Sequence, residues 1–368
     1  MHETPEVRLL DRFLRPIHPR PARADSPGLV PALTLAVALV LLLSPAGANA
    51  ATAPTTVTRT QTIALRTGWN SVYLEVEPPT SRPAEVFRGL PVETVASFLP
   101  GSVEERYLRQ PGDAPWKEEG WRTWHAPHKT EAFLSNLHAI QAHRPYLIEV
   151  TREVVWQVTG TPSARPISWE PNSCTYTGLP VDPENPPTFA TFFAGSPAHA
   201  QLRVFRLEEG LWKRVRNPAQ DRIRSGEAYW IQTDGASMFQ GPLGIQLPST
   251  GTLEFNPARP QASLRLRNDS PRPLRVRVDQ YPGTDPLPLL RRERDRVKQS
   301  TQRLPWPDRL DLPSLEPRGV ASLQFEPDRQ GASTVSGSTL LRISNDQGSC
   351  LWIPVFLRSV DAGSRNSR

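Results

Sequence analysis

The sequence predicts an all-β protein with a minor helical part: two tandem β-rich repeat units followed by a C-terminal β-sandwich. Three observations predict it. Proline is frequent, 41 of 368 residues. Each proline lacks a backbone N–H and clashes with the preceding turn, so long helices are punctuated, whereas short strands joined by proline-bearing turns are not. Apolar residues recur at period two, as in Leu264-Arg265-Leu266-Arg267 and Leu274-Arg275-Val276-Arg277-Val278, the spacing of a half-buried strand. Short landmarks also recur in the same order at two places in the chain, which argues for a tandem pair.

The N-terminus comes first. Arg8, Arg12, Arg15, Arg20 and Arg23 precede an apolar run from Leu29 to Leu43, which Pro45 and Gly47 break before Ala48-Asn49-Ala50. A basic segment, an apolar segment and a small-x-small site in that order predict a signal peptide over residues 1–50, cleaved before Ala51, and export to the periplasm or the exterior. The apolar run is shorter than the roughly 20 residues of a bilayer span, so cleavage is favoured over anchoring and no membrane span is expected afterwards. The residue directly after the site is Ala51, not cysteine, which disfavours a lipoprotein. The excess of 43 Lys+Arg over 37 Asp+Glu, net +6, is spread over a long chain without a recognisable module, so no nucleic-acid partner is expected.

Unit 1 is expected over 57–160 and unit 2 over 161–248. Ile63 to Pro78 alternates on both sides of Gly68-Trp69-Asn70 and predicts a hairpin. Asn70-Ser71 is matched with Asn172-Ser173, and Val76-Glu77-Pro78 with Val181-Asp182-Pro183. Phe87 is matched with Phe192, and Gly120-Trp121-Arg122 with Leu211-Trp212-Lys213. Ile140 leads Tyr146-Leu147-Ile148 as Ile223 leads Tyr229-Trp230-Ile231. An insertion in the first unit carries Phe133, Leu134, Leu137 and Ile140 at helical spacing, and predicts a helix over 130–143 with Thr130 as its N-cap.

The Gly-Trp-Asn strand-turn with the downstream Gly226-Glu227-Ala228-Tyr229-Trp230-Ile231 strand resembles β-rich modules that recur in large exported bacterial proteins. The resemblance covers both units, about half of the chain. The first unit departs from it, with His143 where the second has Gly226 and Leu147 where the second has Trp230. It implies a surface or periplasmic role, no reaction and no site residues.

The sandwich is expected over 249–360, from six or so strands between Leu253-Glu254-Phe255 and Cys350 to Leu357, with a polar turn at Asn268-Asp269-Ser270. It resembles immunoglobulin-like accessory domains of exported bacterial proteins, although no Cys-Trp-Cys framework is present. Arg291 to Lys298, with mixed charges, is expected to be an exposed loop or short helix. Residues 361–368 read as a loose tail.

Candidate chemistry is sparse. His125, His128, His138 and His143 cluster, but their spacing matches no common metal site, and no metal or cofactor is expected. Gly-x-Ser-x-Gly, His-Glu-x-x-His, phosphate-loop and EF-hand patterns are absent from the sequence. Glu118 and Glu119 beside Trp116 and Trp121 are a weak glycosidase pair. Cys174 and Cys350 are candidates for a disulfide or for two buried thiols. The candidate binding surface is Trp116, Trp121, Trp124 and His125, because exposed rings stack on sugars or dock partner loops. The competing assignment places these rings in small cores, since Trp212 repeats one of them. The expected function is a non-catalytic exported structural or adhesion-type protein of the cell envelope, whose partner is an envelope protein or a surface polysaccharide. A carbohydrate-binding protein using exposed tryptophans and an envelope hydrolase are the alternatives.

Overall fold

A computed structural model describes residues 57–99, 120–248, 250–283, 286–295, 300–328 and 336–357. The expected signal peptide, Trp116, Glu118, Glu119 and the C-terminal tail lie outside these residues. The described chain is nearly all β, in several antiparallel sheets with two short α-helices.

The first part contains β1 (Arg59–Leu65), β2 (Gly68–Leu74), β3 (Val76–Glu77), α1 (Pro83–Val86), β4 (Val92–Phe98), β5 (Trp121–His125), β6 (Arg144–Val150) and β7 (Val154–Pro162). They build a three-stranded sheet, β1-β7-β3, and a four-stranded sheet, β2-β6-β4-β5. Period-two apolar residues on β1, β2, β6 and β7, including Ile63, Leu65, Leu74, Ile148 and Trp156, meet in one core. The expected hairpin at Gly68 does not form. β1 pairs with β7 and β2 with β6, so the turn carries the chain from one sheet to the other. Gly68 takes φ +89° there, a conformation strained for any residue with a Cβ. The Asn70 side chain closes the corner, accepting from Arg66 N–H (2.8 Å) and donating to Arg66 C=O (2.7 Å).

The helix expected over 130–143 is a 3-10 turn at Thr130–Leu134 followed by irregular chain. Phe133 is 83% exposed while Leu137 and Ile140 are buried. The apolar spacing came from a loop that dips inward twice, not from one helical face.

The second part contains β8 (Cys174–Gly178), α2 (Phe189–Phe193), β9 (Val204–Glu208), β10 (Leu211–Arg214) and β11 (Ala228–Gln232). The helix is capped by Thr188, whose hydroxyl accepts from Thr191 N–H (3.2 Å), and it buries Phe189, Phe192 and Phe193 against Trp169, Tyr229 and Ile231. The sheet order is β8-β11-β9-β10, and the four-stranded sheet of the first part runs β2-β6-β4-β5. First strand, last strand, second and third therefore lie in the same sequence in both.

The registers place several sequence landmarks at equivalent positions. Tyr146 stands opposite Val72 and Tyr229 opposite Thr177, which aligns Val76 with Val181 and Phe87 with Phe192. Trp121 opposite Phe98 corresponds to Trp212 opposite Leu207. Asn70-Ser71 aligns with Thr175-Tyr176, so its sequence match to Asn172-Ser173 is a slip. Tyr146 OH accepts from Gln141 N–H (2.8 Å) and Tyr229 OH from Arg224 N–H (2.9 Å). That shared hook explains why an isoleucine precedes each tyrosine at the same interval.

The third part is a sandwich of two five-stranded sheets. Its strands are β12 (Leu243–Gln246), β13 (Leu253–Phe255), β14 (Ala262–Asn268), β15 (Val276–Pro282), β16 (Leu289–Asp295), β17 (Ser300–Pro305), β18 (Arg309–Asp311), β19 (Val320–Pro327), β20 (Gly337–Asn345) and β21 (Cys350–Leu357). One sheet runs β12-β14-β19-β16-β17, the other β13-β21-β20-β15-β18. Leu264, Leu266, Val278, Phe325, Leu341, Ile353 and Val355 fill the space between them. Two expectations are corrected here. β12 falls in the range expected for unit 2 yet pairs with β14. The charged segment from Arg291 is strand up to Asp295, pairing with β17 on one side and β19 on the other; Arg291 binds Glu293, and Arg303 of β17 binds Glu326 of β19.

Candidate functional site

The sequence-derived aromatic surface does not assemble. Strand alternation on β5 sends Trp121 and Trp124 to opposite faces. Trp121, half-buried, packs on Phe98 (5.4 Å between centroids) and Tyr176 (6.2 Å). Trp124, also half-buried, packs on Phe87 (5.8 Å) and joins the first core. His125 is half-buried with its basicity lowered, chiefly by burial. Trp116 lies outside the described residues. Among the described residues no group of three or more His, Cys, Asp or Glu is placed to hold a metal ion.

Trp121 belongs to a larger cluster between the two four-stranded sheets, with Tyr73, Tyr176, Trp230 and Trp212. Tyr176 and Trp230 stack at 4.9 Å. Ser71 Oγ donates to Ala228 C=O (2.7 Å) and meets Tyr176 OH (2.8 Å). The equivalent positions Tyr73 and Gly178 face each other: a Cβ on Gly178 would lie 2.1 Å from Tyr73 Cγ. One sheet therefore supplies the ring and the other the space for it.

The two cysteines are free thiols, Cys174 half-buried in β8 and Cys350 buried at the start of β21. The disulfide expected as one alternative is not formed in this structure. Burial pushes the Cys350 thiol up to about 11, against the opposing influence of the Arg342 guanidinium.

A cleft of about 540 Å³ opens where all three parts meet. Tyr73, Glu75 and His143 come from the first part, Arg165 and Met238 from the segments flanking the second, and β12, Cys350 and Trp352 from the sandwich. Tyr73 OH donates to His143 Nδ1 (2.7 Å), and His143 Nε2 faces Pro166 C=O (3.3 Å). This pair of bonds selects the neutral imidazole protonated at Nε2. Burial holds His143 at about 4, and burial followed by the Glu75 charge raises Tyr73 well above the ordinary phenol range. Glu75 binds Arg59 and accepts from Ser225 Oγ (3.3 Å). Arg59 stands 5.2 Å from the Trp352 ring centroid and Arg342 5.8 Å from it. Arg342 in turn binds Asp182 (2.9 Å), so one chain of contacts ties the three parts together.

Two Arg residues at the cleft are not compensated. Arg165 and Arg265 are exposed and form no ion pair among the described residues, whereas Arg267 pairs with Asp269 (2.5 Å). A second groove, of about 510 Å³, is lined by charges that neutralise one another, Arg275 with Asp346 (3.0 Å) and Arg277 with Asp311 (2.9 Å). Sequence reasoning missed the first cleft because its walls come from distant segments. The one local signal was the row of Arg on the wet face of β14.

A Ser–His contact also occurs in the second part. Ser196 Oγ lies 2.7 Å from His199 Nδ1, and Thr233 Oγ1 lies 3.3 Å from Nε2. His199 is 2% exposed and packs on Trp169 at 4.5 Å. The pair satisfies a buried imidazole within a core, and neither residue lines either of the two clefts described above.

No family model matches the chain, and no curated protein matches it. Among solved structures, the chain is similar to the ASH / PapD-like domain of human CEP192 (PapD-like domain 7), at 12% identity over 33% of this chain and 87% of that one, with a TM-score of 0.21.

Proposed function

We propose that the protein is a non-catalytic, exported structural or adhesion-type component of the cell envelope, and that it holds a surface polymer or a partner protein at the three-part cleft. The observation that carries this is the state of the polar groups there. His143, Tyr73 and Glu75 are committed to bonds that join parts of the fold, while Arg165 and Arg265 stand exposed with no ion-pair partner among the described residues. A site so built offers shape and charge to a ligand and keeps its titratable groups for cohesion. Export is supported by the basic, apolar and small-x-small order at the N-terminus. The tandem-module reading draws support from the common strand order of the two four-stranded sheets.

Carbohydrate stacking at Trp121 and Trp124 loses support, because both rings pack inward. The test places a photo-crosslinking residue at Met238, a cleft residue 87% exposed, in cells that make the full chain. Crosslinks to an envelope protein or polymer, with the chain in the envelope fraction, are expected. A chain retained in the cytoplasm, or one that crosslinks only from positions remote from the cleft, would count against the proposal.

A further inference from the structure

We infer that the cleft receives an extended peptide strand of a partner protein, with apolar and acidic residues alternating, by addition to the free edge of β12. This deepens the binding function proposed above and rests on it.

β12 ends its sheet. It pairs with β14 along one side, and no described strand pairs with the other. An edge strand of this kind presents backbone N–H and C=O groups to an incoming chain. The register then dictates the chemistry of that chain. Leu243 and Ile245 stand opposite Asn268 and Leu266 and face the sandwich core. Gly244 and Gln246 stand opposite Arg267 and Arg265 and face outward. Successive side chains of a strand point to opposite faces, so every second residue of an added strand lies beside the row Leu243, Ile245, Leu247. Those residues are apolar. The alternate ones lie on the arginine face, where Arg265 has no carboxylate partner among the described residues, and Arg165, which also lines the cleft, is in the same state. Those are acidic.

Size agrees with this occupant. The four residues of β12 offer an edge of about 14 Å, which takes about four residues of an extended chain. The cavity of about 540 Å³ holds a segment of that order. A polyanionic sugar would use the two arginines but neither the backbone edge nor the apolar row, so the peptide accounts for more of the site.

The test uses the full chain and an end-blocked eight-residue peptide of alternating Val and Asp. An alternating Val and Lys peptide and oligogalacturonate are the comparators. The Val/Asp peptide is expected to bind about ten-fold or more tightly than the Val/Lys peptide, and the Arg165→Glu, Arg265→Glu double variant to lose about ten-fold or more. Both residues are exposed, and an unchanged urea midpoint shows that the variant is folded. Hydrogen exchange is expected to slow at the amides of residues 243–247 when peptide is bound. Failure of the Val/Asp peptide to bind, undiminished binding by the double variant, protection elsewhere, or tighter binding of oligogalacturonate would each overturn the inference. Export is measured separately by cell fractionation, so a cytoplasmic chain that binds the peptide would sink the envelope function and leave this site standing.

Discussion

His143 occupies a backbone conformation that side chains seldom take, φ +60°, at the position where the second sheet has Gly226 at φ +76°. A bare glycine meets that requirement without strain; His143 meets it by spending both ring nitrogens on Tyr73 and Pro166. His199 is likewise held by Ser196 and Thr233. Burial lowers both from 6.5 to about 4, which gives stability a definite pH dependence. Above pH 6.5 the two imidazoles are neutral folded or unfolded. As the pH falls toward 4 the unfolded chain takes up protons that the folded chain refuses, about two in all, so stability present at neutral pH is lost across that window. Urea melts at pH 7, 5.5 and 4.5 should show the decline, and His199→Gln should reduce its slope. The cysteines give a second residue-scale expectation. Both are free thiols, so a thiol titration of the non-reduced protein in denaturant should count two. In native protein Cys174 should react before the more deeply buried Cys350; a count of zero would mean a disulfide.

At the scale of the element, two sheets of like topology press the same faces together. Equivalent positions then cannot both be large, and the chain answers with Tyr73 against Gly178, and with Leu147 and Ala96 where the second sheet has Trp230 and Phe205. Gly178→Val should cost about 1–3 kcal/mol by overpacking, measured by chemical denaturation. Adding Tyr73→Ala should restore part of that loss, because the two positions share one space. Purely additive losses would show that they do not. Little of this was legible beforehand. The Tyr146 and Tyr229 strands, the Phe87 and Phe192 positions and the Trp121 and Trp212 match stood out because each repeats a residue type at a fixed spacing. The helix over 130–143 and the hairpin at Gly68 were misread because period and turn chemistry are local. Neither says whether adjacent strands pair with one another or with remote ones.

Across the whole molecule, Trp352 is the joint. Glu75 holds Arg59, Arg59 and Arg342 share the Trp352 ring, and Arg342 reaches Asp182 and, at 3.6 Å, Asp279. Cation–ring contacts of this kind contribute about 0.5–2 kcal/mol each, more where water is excluded. Trp352→Ala should therefore lower overall stability by about 2 kcal/mol and separate the melting of the sandwich from that of the paired sheets in a calorimetric scan. A single unshifted transition would show that the joint carries no coupling.

By itself the sequence determined the all-β class, most strand positions on the sandwich and the order of the recurring landmarks. Alternation and proline density are local properties of the backbone, and they act wherever the strand ends up. Only the tertiary structure decided which strands pair, that Leu243–Gln246 joins the sandwich, that the cysteines stay apart and that Trp121 and Trp124 turn inward. It alone assembled the cleft, whose walls are brought together from segments as distant as Arg59 and Trp352. Such contacts depend on burying whole faces against one another, a free energy that belongs to pairs of surfaces and leaves no mark at any single position of the chain.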